Sequence, residues 1–182
     1  MIYSLSLENA LVLVGVLLVA GHVVAWSAEA WVKQNLKAFP RSGNAGNFLY
    51  TTAAAWFVWL VSNSDLGEFS SMRNNFLAMS AVGYVTGIVF MREFLAVRAL
   101  GILALLAGEP LLEAAWMRPE GGKLFLVTLV YAWIVGGLFC VGMPYLLRDA
   151  IEWISGTAAR WRAACVAGIL YGGVLLAVRA TL

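Results

Sequence analysis

Charged residues are scarce in this chain. Asp, Glu, Lys and Arg make up 12% of its 182 residues, whereas hydrophobic residues make up 62%. A soluble domain usually carries about 25% charged residues and about 45–50% apolar ones. Because a water-soluble fold of this length could not hide so much apolar surface, the sequence predicts an integral membrane protein whose first partner is the lipid bilayer.

Residues that usually form catalytic or metal sites are also few. The chain has two cysteines and one histidine, without the spacing of a zinc site, and it has no recognisable hydrolase, nucleotide-binding or calcium-loop motif. The net charge is only +2, and no block of like charge is present, so no nucleic-acid footprint is visible. We therefore expect a non-enzymatic protein with no metal, no cofactor and no nucleic-acid partner.

The hydrophobic runs predict an all-α, polytopic helical bundle that forms one membrane domain over residues 1–182. A helix of about 20 residues crosses a hydrocarbon core of about 30 Å. Residues 10–20 also resemble the apolar core of a signal peptide, but no Lys or Arg precedes them, so a retained first span is expected. The six predicted spans are 10–32, 47–61, 76–91, 94–116, 124–143 and 163–178.

Two segments lie between these spans without being ordinary loops. Residues 91–98 contain no Gly, Pro, Asn or Ser, so a five-span arrangement with one long helix is an alternative, although a tight reversal is favoured. Residues 145–154 place charged side chains on one side of a helix and apolar side chains on the other. This pattern predicts an amphipathic helix at the membrane interface.

Basic residues predict the orientation of the six spans. Loops one, three and five carry eight Lys and Arg residues, and the opposite side carries four. The positive-inside rule then puts both termini on the outer side of the membrane. The short loops are typical of a bacterial inner membrane, which would make the termini periplasmic.

The fourth predicted span holds the ionisable residues that a bilayer tolerates least. Arg98, Glu109 and Glu113 fall on nearly the same helical face. Pro110 leaves the carbonyl of Leu106 without its helical donor, and a free carbonyl beside carboxylates can form a cation or proton site. The alternative is that both carboxylates lie near the outer interface and pair with basic residues there.

A second candidate polar track joins His22 and Glu29, which are seven residues apart and so share a face of one continuous helix. His22 could relay protons or ligate a cofactor such as haem. A hydrogen bond to a neighbouring helix is the favoured role.

Two small-residue faces predict close helix packing, within the chain or between copies. One is Gly83 with Gly87 in the third span, and the other is Gly168 with Gly172 in the sixth.

A cluster of charged residues is predicted at the inner interface. It consists of Arg92, Glu93, Arg148 and Asp149. Such a cluster ties adjacent helices together at the interface or serves as a gating or docking element.

These observations favour a protein that works through helix–helix contacts, either as a homo-oligomer or as a subunit of a larger membrane complex. The first alternative is a small proton or cation channel or carrier that uses the intramembrane carboxylates. The second is an electron-transfer subunit that binds a cofactor through His22.

Overall fold

The computed structural model describes residues 3–181, and it is 86% helical. No strand occurs in that part of the chain. This confirms the predicted all-α class. Within residues 3–181 the helices are α1 (Leu7–Ser27), α2 (Glu29–Ala38), α3 (Gly43–Asn63), α4 (Arg73–Phe90), α5 (Leu95–Ala115), α6 (Lys123–Gly142), α7 (Tyr145–Ser155) and α8 (Ala158–Ala180).

Four of these helices are long and apolar enough to cross a membrane, namely α1, α5, α6 and α8. They indicate a membrane protein. Helices α3 and α4, which cover the second and third predicted spans, do not belong to this set. Polar residues open both helices, and α4 begins with Arg73, Asn74 and Asn75. Length and composition therefore do not confirm six spans.

The first predicted span, 10–32, does not form one helix. Helix α1 ends at Ser27, and Ala28 leaves helical geometry with φ −113° and ψ 42° before α2 begins. The Ser27 hydroxyl donates a hydrogen bond to the Val24 carbonyl at 3.3 Å. Such a bond from a side chain to the backbone competes with the backbone hydrogen bonds of the helix. The prediction that His22 and Glu29 lie on one continuous helix was therefore wrong.

The segment between α4 and α5 reverses the chain. Helix α4 ends at Phe90 and α5 begins at Leu95, so the single long helix of the five-span alternative is not formed. Phe94 closes the reversal with φ 58°, in the left-handed region that glycine adopts most readily. No glycine is available in this segment, and an aromatic residue takes the position instead.

Helix α5 is the centre of the bundle. It packs along α3 and α6, and it also touches α1, which in turn packs along α8. Helices α2 and α7 contact each other outside these long pairs, and α4 packs mainly on α3. The long helices therefore pack in pairs, with α5 in the middle of the bundle and α4 at the edge of the bundle.

The largest buried apolar cluster lies at one end of the bundle. It joins the beginnings of α1 and α6 to the ends of α5 and α8, and Leu11, Leu126 and Leu175 are fully buried in it. Glu8 of α1 lies 3.8 Å from Arg179 of α8 at the same end. These contacts make α1 antiparallel to α8.

Glycines allow the backbones of paired helices to touch. A Cβ atom on Gly101 of α5 would lie 2.6 Å from the carbonyl oxygen of Gly137 on α6. On the other pair, a Cβ on Gly172 of α8 would lie 2.9 Å from the carbonyl oxygen of Gly15 on α1. Both distances are shorter than normal van der Waals contact, so only glycine fits at these crossings without movement of a helix.

We expect Gly101→Ala to destabilise the folded protein by about 1–3 kcal/mol, because the new methyl group overpacks a backbone contact. Gly136→Ala is the matched control, since a Cβ there has no neighbour within 4 Å and alanine favours helix. The measurement is reversible unfolding in mild detergent, followed by circular dichroism. Equal stability of the two variants would contradict the proposed close contact.

Candidate functional site

The two carboxylates of α5 lie in its C-terminal half. Glu109 is exposed and Glu113 is half-buried. The ion pairs among residues 3–181 are Glu29 with Lys33, Asp149 with Arg148 and Glu8 with Arg179, so neither α5 carboxylate has an ionic partner in the described chain. The predicted pairing with nearby basic residues is not seen.

Arg98 does not reach these carboxylates. Eleven residues separate it from Glu109, which is about 16 Å along a helix axis. Its Nη1 atom lies 4.0 Å from Met91 Sδ, and its buried Nε atom has no hydrogen-bond partner among the described residues. The three residues lie along one helix, α5, but the structure does not bring Arg98 together with the carboxylates.

His22 faces α8. Its Nδ1 atom is 2.8 Å from the Leu18 carbonyl oxygen, one turn earlier in the same helix, and the ring packs directly on Gly168. The favoured hydrogen bond to a neighbouring helix is therefore replaced by a bond within α1. The Nδ1 atom is thus engaged within α1, and the ring lies against the backbone of α8.

The predicted track from His22 to Glu29 is interrupted. Glu29 belongs to α2, beyond the break at Ala28, and pairs with Lys33 at 2.6 Å. Lys33 also lies 5.1 Å from the centre of the Trp161 ring. Glu29 thus helps to fix α2 against the beginning of α8.

The glycine faces pack within the chain to different degrees. Gly168 and Gly172 both face α1, as the contacts with His22 and Gly15 show. In α4, Gly87 receives the ring of Tyr50 from α3, whereas a Cβ on Gly83 would meet open space. Tyr50 also donates a hydrogen bond to the Gly83 carbonyl at 2.9 Å.

A polar pocket of about 410 Å³ lies where three connections meet. Its lining residues come from the turn before α3, from the α4–α5 reversal and from the first turn of α7. We call it the arginine pocket. It is lined by Arg41, Arg92, Glu93, Phe94 and Arg148.

The charges in the arginine pocket are unequal. Three guanidinium groups face one carboxylate, Glu93, on its lining. Asp149 lies beside the pocket and accepts hydrogen bonds from Nε and Nη2 of Arg148 at 2.9 and 2.7 Å. This hydrogen bond raises the pKa of Arg148, which keeps that group charged. Arg41 and Arg92 are exposed and have no ionic partner in residues 3–181.

Sequence reasoning found only part of this pocket. The predicted interfacial cluster contained Arg92, Glu93, Arg148 and Asp149, but it missed Arg41 and Phe94. Arg41 lies in the first of three basic loops that are predicted on one side of the membrane. This position predicts that the three loops share a side, but it does not predict that they contact one another.

Comparisons with protein-family models, with curated proteins and with solved structures found no match. Among the residues that the structure describes, no three His, Cys, Asp or Glu side chains are close enough to hold a metal ion.

Proposed function

We propose that this chain is a non-enzymatic, six-span protein of a bacterial inner membrane that works by binding other membrane helices. Its partners are further copies of itself or the subunits of a larger membrane complex. The observation that carries the proposal is the carboxylate of Glu109 on the central helix, which is exposed and has no ion pair within residues 3–181.

The position of Glu109 along α5 makes this exposure costly. A helix of 21 residues is about 31 Å long, which matches a hydrocarbon core of about 30 Å. Glu109 lies six residues before Ala115, or about 9 Å inside the end of the helix. Ionisable groups at such a depth usually face a partner or a water-filled cavity. A second chain would supply that partner.

Helix α4 supports the same proposal. Its main packing neighbour is α3, and only Gly87 is buried along its length. A pocket of about 500 Å³ beside α3 and α4 is lined largely by small residues, including Ala54, Ala55 and Ala81. Helices of lower hydropathy at the edge of a bundle suit contact with protein better than contact with lipid.

The six-span topology is supported by the ends of the helices. Gly46 near the start of α3 packs on Leu95 and Ala96 at the start of α5, so these two helices run in the same direction. Arg41, Arg92 and Arg148, from loops one, three and five, line one pocket. With this end inside, the positive-inside rule places both termini in the periplasm.

Cysteine labelling tests this topology. In a background with Cys140→Ser and Cys165→Ser, we expect Asn44→Cys and Ser71→Cys to react with an impermeant maleimide from opposite sides of the membrane. The reason is that a spanning α3 separates these exposed positions. Labelling of both from the same side would contradict six spans and would make α3 and α4 a hairpin that does not cross.

Assembly is tested by native mass spectrometry of protein extracted gently from its own membrane. We expect a mass above that of the 19.7 kDa chain, and we expect Glu109→Gln to weaken the assembly about tenfold or more, since hydrogen bonds to charged groups contribute about 1.5–3 kcal/mol. Glu68→Gln, in the exposed turn Gly67–Met72, is the control. A wild-type monomer without partners would contradict the proposal.

A second candidate function is a small proton or cation channel or carrier. It is favoured by the absence of ion pairs at Glu109 and Glu113 in the described chain and by Pro110, which leaves the Leu106 carbonyl without a helical donor. Carboxylates beside a free carbonyl offer oxygen ligands to a cation.

For this candidate we expect Glu109→Gln or Glu113→Gln to abolish cation or proton flux in proteoliposomes while helix content is retained. The reason is that a side-chain amide does not take up or release a proton near neutral pH, and it binds cations less strongly than a carboxylate does. Glu68→Gln again serves as the control. Unchanged flux in both variants would remove these residues from any transport mechanism.

A further inference from the structure

The arginine pocket concentrates positive charge from three separate parts of the chain. Arg41, Arg92 and Arg148 line a volume of about 410 Å³ together with a single carboxylate, Glu93. Arg98, one turn along α5 from Phe94, adds a further cation near the same end, and its Nε atom has no partner among the described residues. Like charges held together in this way repel each other unless an anion lies between them.

Two helix ends increase the positive potential at this pocket. Helices α5 and α7 both begin here, since Phe94 precedes α5 and Arg148 lies in the first turn of α7. Neither helix has an acidic residue in its first turn, and neither has a side-chain hydrogen bond at its N-cap. A helix N-terminus carries a partial positive charge that acidic side chains usually offset. Here the nearby acids are Glu93 and Asp149, and Asp149 is already engaged by Arg148, so the arginines outnumber the acids and add to that charge.

The available donors suit a phosphate group. Asp149 engages Nε and Nη2 of Arg148 but not Nη1, and Arg41 and Arg92 are exposed without ion pairs in the described chain. Guanidinium groups bind phosphate oxygens through two parallel hydrogen bonds. Phe94, whose ring centre lies 6.0 Å from Cζ of Arg148, forms an apolar wall beside these donors.

We propose that the arginine pocket is a binding site for a phosphate group, carried by an anionic lipid headgroup or by a soluble phosphate. Three arginines against one glutamate leave a net charge of +2 on the lining, or +1 when Asp149, which pairs with Arg148, is counted; these values match the approximately −2 of a phosphomonoester and the −1 of a phosphodiester. The volume lies within the range of about 300–1,000 Å³ that is usual for small-ligand sites.

The test measures binding to the full-length protein in nanodiscs. One set contains phosphatidylcholine alone, and another contains added phosphatidylglycerol; inorganic phosphate is then titrated into the first set. Native mass spectrometry counts retained phosphatidylglycerol, and isothermal calorimetry follows inorganic phosphate. Retained phosphatidylglycerol without a response to phosphate identifies a lipid headgroup as the ligand, and the reverse identifies a soluble phosphate.

The variants Arg41→Gln and Arg92→Gln are expected to lower this binding about tenfold or more, because each removes a charge-assisted hydrogen bond. Arg160→Gln is the matched control, since Arg160 is exposed near the same end of the bundle but stacks 4.5 Å from the centre of the Trp153 ring, outside the pocket. The Arg92→Lys variant should bind with intermediate affinity, because lysine keeps the positive charge but cannot donate the two parallel hydrogen bonds of a guanidinium group.

Either of two results would overturn the proposal. One is the absence of binding in both nanodisc sets, and the other is an equal loss in Arg160→Gln and Arg92→Gln, which would indicate general attraction to a basic surface. Arg41→Gln keeps the test decisive if another variant fails to fold, because Arg41 is exposed in a turn and holds no ion pair in residues 3–181. The oligomeric state of the protein does not enter the result.

Discussion

Backbone contact at glycines is the interaction on which this bundle depends. In a bilayer, helices gain little from the hydrophobic effect when they associate, because lipid tails are as apolar as leucine, and close packing must supply the attraction. Gly101 and Gly137 bring α5 and α6 together, and Gly15 and Gly172 do the same for α1 and α8. Helix α4 is held to α3 instead by the ring of Tyr50, which packs on Gly87 and stacks on Tyr84, and by the hydrogen bond between Thr51 and Tyr84.

The helical class and the central place of α5 could be predicted from the sequence because both follow from local properties. The length of an apolar run sets the helix, and an unusual number of polar residues in one run marks the segment that needs protein around it. The contact of Gly101 with Gly137 could not be predicted, because neither glycine is part of a GxxxG pattern in its own helix. The break at Ala28 was missed because no proline or glycine marks it.

The candidate site shows the same division between local and tertiary information. Helical periodicity predicts that Arg98 and Glu109 share a face, but a shared face does not imply contact when about 16 Å of helix separates two side chains. The polar track from His22 failed because it assumed a helix that continues past Ala28. Arg41 lines the arginine pocket because three loops lie next to one another in the folded chain. No single segment of the sequence shows that these loops are adjacent.

The charges at the two ends of α5 are arranged against the helix dipole. A helix favours anions at its N-terminus and cations at its C-terminus, yet Arg92 and Arg98 outnumber Glu93 around the beginning of α5, while Glu109 and Glu113 lie towards its end. Local electrostatics therefore does not account for these residues. A phosphate group at the beginning of α5, and a donor or cation from a partner at its end, would reverse both unfavourable terms. The same requirement for an external counter-charge at each end connects the proposed phosphate site with the proposed helix partner, although the two sites lie on opposite sides of the membrane in the six-span topology.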